Sequence, residues 1–224
     1  MSIESAGLAI IGDIHGQAEK LNKALDVLIP SGRRLVFVGD YIDRGPDSFE
    51  VMERLIRLSN TSGDSIVFLR GNHEAALIQW LCHDDMSPFI RHGGLATIKS
   101  YSADLLPGVV TDFPNRIPAN HRNFLLQTRS YFETKDIFVS HAGFNPNNLD
   151  ARDDESLIFG TNGIPFSYKH SATPRSLTVF GHFVQTNLRP RAEGDLVCLD
   201  TGCGTLPSGR LTVLLVPERQ YLQF

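Results

Sequence analysis

Leu35-Val-Phe-Val-Gly-Asp40-Tyr-Ile-Asp43-Arg44-Gly45 is the stretch on which the fold turns. An apolar run that stops at a glycine and passes at once to a carboxylate, a second carboxylate and an arginine reads as a buried strand that delivers charge at its end. The same grammar recurs in Leu8-Ala-Ile-Ile-Gly-Asp13-Ile-His15-Gly16, Ile66-Val-Phe-Leu-Arg-Gly-Asn72-His73-Glu74, Ile137-Phe-Val-Ser-His141 and Leu177-Thr-Val-Phe-Gly-His182. Ligands of open α/β sheets bind outside the carboxyl ends of the strands, so these ends can surround one point. The pattern predicts an α/β domain with a two-metal site at that point, bridged by Asp40.

The bulk composition narrows the field. A chain of 224 residues with 42% hydrophobic content can bury one sizeable core, and the converging strand ends argue for a single domain over 1–224. A net charge of −4 gives no general attraction for nucleic acid or an anionic membrane. Cys82, Cys198 and Cys203 have no CxxC spacing, which argues against a zinc knuckle or disulfide framework and fits a reducing, cytoplasmic setting. Neither a leader pattern nor a membrane-length apolar run is expected.

Within the motifs, Asp13 and His15 are two apart, so extended backbone points both to one side, where they can grip one cation. Asn72 is an unusual ligand, but its carbonyl oxygen suits a cation that already shares a carboxylate. His73 is a candidate for acid-base work. Leu21, Ala24, Leu25 and Leu28 predict a helix over 17–29, and Asp47 with Glu50 reads as a capping box opening the next one. Glu74 is expected to complement a helix N-terminus rather than to act in catalysis. Trp80 and Cys82 are expected in the core, while His83, His92 and His121 are expected at the surface or as hydrogen-bonded core residues. Residues 83–132 break the strand rhythm with short helices at 95–101 and 120–130, a segment able to lie over the strand ends and select substrates. Turn signals, Asn162-Gly163 among them, make 145–175 loop-like. Cys203 has no visible base partner and is not expected to be a nucleophile.

Taken together and in order, GDIHG, GDYIDRG, LRGNHE, VSHAG and FGH resemble the phosphoprotein phosphatases among the calcineurin-like metallophosphoesterases, above all their bacterial and phage serine/threonine-phosphatase-like members. The likeness runs over nearly the whole chain. It implies an αββα sandwich of two mixed sheets flanked by helices. By position, Asp13, His15 and Asp40 would bind one metal, and Asp40, Asn72, His141 and His182 the other. Two divalent cations, Mn(II) in the first place with Fe or Zn as alternatives, would present a shared hydroxide in line with the leaving oxygen. His73, oriented by Asp43, would protonate the leaving group, and Arg44 would hold phosphate oxygens.

Two departures bear on the substrate. The family's second phosphate-clamping arginine has no counterpart in Leu157-Ile-Phe-Gly-Thr161, leaving Arg152 or Arg175 as substitutes. His182 is followed by Phe183 and Val184 rather than by the GHxH of diesterase relatives, which favours monoester or anhydride hydrolysis. The resemblance puts phosphoserine and phosphothreonine hydrolysis first. A dinucleoside polyphosphate hydrolase is the alternative, placed second because such enzymes often carry GNHD where this chain has Glu74. A catalytically inactive binding module is a distant third. The expected partner is a phosphoprotein or a phosphorylated small molecule, and the sequence does not fix an oligomeric state.

Overall fold

The computed structural model describes residues 7–102, 104–161, 163–167 and 173–224. Asn162 of the Asn162-Gly163 turn signal lies outside them. Two five-stranded mixed sheets pack face to face. The first is built from β1 (Leu8–Ile11), β2 (Arg34–Phe37), β3 (Ile66–Phe68), β9 (Thr212–Val216) and β10 (Gln220–Gln223), in the order β10-β9-β1-β2-β3. The second contains β4 (Tyr131–Glu133), β5 (Ile137–Ser140), β6 (Leu177–Phe180), β7 (Arg191–Glu193) and β8 (Leu196–Cys198), in the order β4-β5-β6-β8-β7. Strands β1, β2 and β3 run parallel, as do β5, β6 and β8. The partners at the sheet edges, β10-β9, β4 and β7, add antiparallel ladders.

Period-2 alternation explains why these runs are apolar throughout: both faces of each central strand are covered. Ile10, Val36, Val139, Val179, Val197 and Leu214 meet between the sheets. Their neighbours Ala9, Ile11, Leu35 and Phe37 point the other way, into a layer of helices. On the second sheet Phe138, Phe180, Leu196 and Cys198 face Phe144, Leu157 and Ile158. The helices over the first sheet are α1 (Ala18–Leu28), α2 (Ser48–Ser62) and α3 (Asn72–His83).

Residues 83–132 carry α4 (Ser87–Arg91), α5 (Gly94–Ser102), α6 (Pro107–Thr111), α7 (Phe113–Arg116) and α8 (Ala119–Gln127). Phe89, Ile98, Phe113 and Phe124 from this segment share the core of α2 and α3, with Phe89 5.5 Å from Trp80 and 6.0 Å from Phe113 between ring centroids. Removing one such ring would cost roughly 3–5 kcal/mol, so the segment is anchored. A last short helix, α9 (Asp154–Leu157), is capped by Asp153, which accepts from the Ser156 N–H at 2.9 Å.

Three expectations change. The helix expected over 120–130 ends at Gln127 because Thr128 turns to extended backbone and the Arg129 N–H then bonds Phe68 O. Asp47 occupies the N-cap position of α2, yet its side chain makes no cap hydrogen bond. Cys82 is exposed, since the final turn of α3 projects past the core.

Candidate metal and phosphate site

Every parallel strand hands its chain to the same edge of the sandwich. Asp13 and His15 follow β1, Asp40 follows β2, Asn72 and His73 open α3 after β3, His141 follows β5 and His182 follows β6. Backbone sterics show how tightly the turns are drawn: His15, Asp40, Asp43, Arg44 and His182 all have positive φ, five of the eight non-glycine residues that do so among those described. Such conformations cost of order 1–3 kcal/mol each and persist where surrounding structure dictates them. Gly71 and Gly181 are required, because a Cβ at either would overlap Asp40 Oδ1 or Asp13 Oδ1.

Asp40 stands at the centre. Its Oδ2 lies 3.4 Å from His15 Nε2 and its Oδ1 3.4 Å from His141 Nε2. On the far side, Asn72 Oδ1 is 3.1 Å from His141 Nε2 and 2.9 Å from His182 Nδ1. Two groups therefore share Asp40: His15 with His73, and His141 with His182. Asp13, buried beside them, accepts from the His182 N–H at 3.1 Å through Oδ2.

The hydrogen-bond pattern fits cations. Nδ1 of His15 faces Ile42 O at 3.0 Å and Nδ1 of His141 faces Val38 O at 3.1 Å. Carbonyls accept, so both rings carry their proton on Nδ1 and aim an Nε2 lone pair into the site, the arrangement metal-binding histidines adopt. His141 Nε2 and Asn72 Oδ1 then oppose each other with no proton between them, and Asp13 Oδ1 is buried without a hydrogen-bond partner among the described residues. Converging lone pairs and crowded carboxylates are unfavourable by themselves and favourable around positive charge. Burial raises Asp13 and Asp40 well above the usual carboxylate range, reinforced by the charge of Asp200 beside Asp13 and by those of Asp13 and Glu74 beside Asp40. Burial likewise lowers His15 to about 3 and His182 to about 4.

Around this centre the remaining motif residues take distinct places. His73 Nδ1 is 2.7 Å from Asp43 Oδ2, while its Nε2 is 3.7 Å from Asp40 Oδ2 and has no hydrogen-bond partner among the described residues. Burial pushes His73 down and Asp43 up, so each resists charge singly and the short bond lets them carry it as a pair. Arg44 reaches in from the rim, its Nη1 3.0 Å from His15 Nε2 and donating to Thr205 Oγ1 at 2.7 Å. Arg152 and Arg175 do not join it: both guanidiniums pair with Glu133 on β4, at 3.1 and 2.5 Å. His121 is a bonded core residue, held by Tyr101 and Glu53, and His83 is exposed.

Four residues outside the expected set support the site. Glu74, expected to be structural, accepts from the N–H groups of Gly71, Asp40 and Tyr41 at 2.8–2.9 Å, and so clamps the Asp40 turn. Thr97 of α5 donates to Asp43 Oδ1 at 2.5 Å and accepts from the Asp43 N–H at 2.9 Å, and Ser48 Oγ accepts from the same N–H at 3.1 Å. Asp200, at the end of β8, is buried next to Asp13 and raised by burial to about 6. The run Leu196-Val-Cys-Leu-Asp200 repeats the strand-end grammar and could have revealed it; nothing local marks Thr97. A cleft of about 680 Å³ at the sandwich edge, lined by Arg34, Arg129 and Tyr131 among others, contains none of the site residues.

This geometry is matched by known proteins. The calcineurin-like phosphoesterase family model fits residues 7–185. The chain belongs to that family. Its members are metal-dependent phosphoric ester hydrolases with dinuclear centres, and this chain is an enzyme of that class. Bis(5'-nucleosyl)-tetraphosphatase PrpE (asymmetrical) from Halalkalibacterium halodurans is 27% identical over 95% of this chain and 91% of its own length. A candidate serine/threonine-protein phosphatase of Caenorhabditis elegans is 44% identical, but over 71 residues only, 31% of this chain and 19% of that protein. Among solved structures, that of a candidate diadenosine tetraphosphatase superposes with a TM-score of 0.68 at 22% identity, covering 98% of this chain and 93% of the other, which shows a shared fold.

Proposed function

We propose that this family member hydrolyses the phosphoanhydride chain of dinucleoside polyphosphates, of which diadenosine tetraphosphate is the test case. The observation that carries the reading is end-to-end likeness to tetraphosphatases, against a likeness to a protein phosphatase confined to under a third of the chain. It reverses the order expected from the motifs. That order followed the motif resemblance, with Glu74 tilting it further; the Glu74 carboxylate is engaged by backbone N–H groups of the Asp40 turn, and a group that braces a turn reports little about substrate. The pairing of Arg152 and Arg175 with Glu133 points the same way, since neither guanidinium is then placed to clamp a monoester phosphate.

In this reading Asp13, His15 and Asp40 hold one divalent cation, and Asp40, Asn72, His141 and His182 a second, with an O/N donor set suited to Mn(II), Fe or Zn. Cations bound there supply Lewis-acid charge neutralisation and an acidified water. Arg44 binds phosphoryl oxygens and, held by Thr205, stays aimed at charge that builds in the transition state. Asp43 accepts the Nδ1–H of His73 and fixes the tautomer, leaving Nε2 to hand a proton to the leaving oxygen. Ser48 and Thr97 keep Asp43 in place for that task.

The test is kcat/KM, with Mn(II) supplied, for diadenosine tetraphosphate and for a phosphothreonine peptide on one preparation. A preference of at least tenfold for the dinucleotide is expected. A preference for the peptide would restore the protein-phosphatase reading.

A further inference from the structure

His92 belongs to no metal group and no catalytic pair, yet it lies against the reaction centre. It follows α4 in Phe89-Ile-Arg-His92-Gly-Gly94, and its ring centroid is 5.3 Å from that of His73. Nδ1 of His92 is buried without a hydrogen-bond partner among the described residues, as is Nε2 of the neighbouring His73. Buried polar atoms ordinarily find partners, so two adjacent imidazoles with one unsatisfied nitrogen each mark a place where a polar ligand belongs.

The position is firmly set. Gly94 lies against the Phe89 ring, which a Cβ there would overlap, and that ring is fixed by Trp80 and Phe113. Gly93, at φ +101°, passes over Arg44, close enough that a Cβ would sit 3.3 Å from Arg44 Cγ. The loop thus presents His92 beside both the phosphate-binding arginine and the proton donor. Since His73 serves the leaving oxygen, His92 is on the leaving-group side of the scissile bond.

We infer that His92 contacts substrate by hydrogen-bonding a phosphate oxygen of the leaving group, and thereby selects polyphosphate chains over simple phosphomonoesters. The inference rests on the proposed anhydride-cleaving function and names the residue that would give it specificity. A leaving alcohol or phenol has no charged phosphate oxygen next to the bridging atom, so it offers His92 no such partner; a leaving polyphosphate offers several charged acceptors. A site that hydrogen-bonds one substrate and finds no partner in another discriminates strongly.

The test compares wild type, His92→Ala and His92→Gln in the full chain with Mn(II), measuring kcat/KM for diadenosine tetraphosphate and for p-nitrophenyl phosphate. The ratio of the two should fall roughly 10- to 100-fold in His92→Ala, with the loss mainly in KM, and recover in part in His92→Gln, which keeps a donor. Metal content and Tm establish that each variant is folded. An unchanged ratio, whether both activities fall together or neither moves, would overturn the role of His92 while leaving the anhydride reading intact. A wild type that turns over a phosphothreonine peptide but not diadenosine tetraphosphate would overturn that reading and this inference with it.

Discussion

Asp13, His15, Asp40, Asn72, His141 and His182 stand at the ends of strands locked in parallel ladders, whereas Thr97 reaches the same centre from a nine-residue helix and His92 from the turn that follows a five-residue one. Strand ends keep their relative positions whatever covers them. The helical segment keeps its place through side-chain packing, above all Phe89 and Phe113 against Trp80. One region is therefore suited to holding cations, and the other to tuning rate and choosing substrates. Changes in the first should remove metal together with activity. Changes in the second should alter turnover or selectivity with metal retained.

Asp40→Ala is the sharpest test, because both candidate groups share that carboxylate. Turnover should drop by about 10³-fold or more, and elemental analysis should find fewer than two equivalents of Mn(II). Equal metal uptake by wild type and variant would remove Asp40 from the centre. His73→Ala comes next, with a fall of roughly 10²- to 10⁴-fold on an alkyl phosphate and a smaller one on an anhydride, whose leaving group needs less help from an acid. Metal content decides its role: Nε2 of His73 lies near enough to Asp40 to be counted with His15, so loss of a cation would make it a ligand instead of the acid. Thr97→Val, in the helical segment, should lower kcat roughly 10- to 100-fold with both cations retained, as changes to residues that orient a site usually do, and Thr97→Ser should restore it. Metal loss in Thr97→Val would erase the proposed division between the two regions.

Acidity offers a milder test of the strand-end region. Burial raises Asp13, Asp40 and Asp43 and lowers His15, His73, His141 and His182. The histidines favour folding as pH rises toward about 6.5, the value they have when unfolded. Above that they are neutral in both states, and the trend is set by the groups whose protons folding holds more tightly: the raised carboxyls together with Cys198 and Cys203, whose thiols burial also raises, Cys203 to about 12. A carboxyl raised by folding binds its proton more tightly in the native state, so stability is lost as pH rises through the raised value. Metal-free protein should thus melt lower at pH 8.5 than at 6.5, by roughly 2–4 °C for each ~1 kcal/mol lost. Added Mn(II) should remove the carboxyl part of the trend and leave the thiol part. A slope that Mn(II) does not change would mean that the carboxyl cluster is already compensated.

What could be read in advance follows from the range of the interactions. Apolar runs ending in Gly-Asp or His carry their meaning within ten residues, which is why the strands and the polar residues at their ends were legible. Asp200 obeys the same rule after β8 and was open to the same reading. Thr97 was not, because its partner Asp43 is 54 residues away and a threonine within a helix looks like any packing residue. Cys82 was misplaced for a related reason: periodicity identifies the buried side of α3 but not where the core beneath it stops.

Arg152 gives the smallest expected effect and marks the outer boundary of the site. Its guanidinium bonds both oxygens of Glu133 at 3.1 Å, donates to the carbonyls of Leu149 and Ala151, and lies 4.8 Å over the Phe138 ring. Moving it to a phosphate would break all of these contacts at once and leave Glu133 to Arg175 alone. Arg152→Ala should therefore change kcat/KM for diadenosine tetraphosphate by less than about threefold while lowering Tm through lost packing beneath the guanidinium. A drop of tenfold or more at full metal content would show that the arginine swings into the site during turnover, and the second phosphate clamp would then come from the connection between β5 and α9.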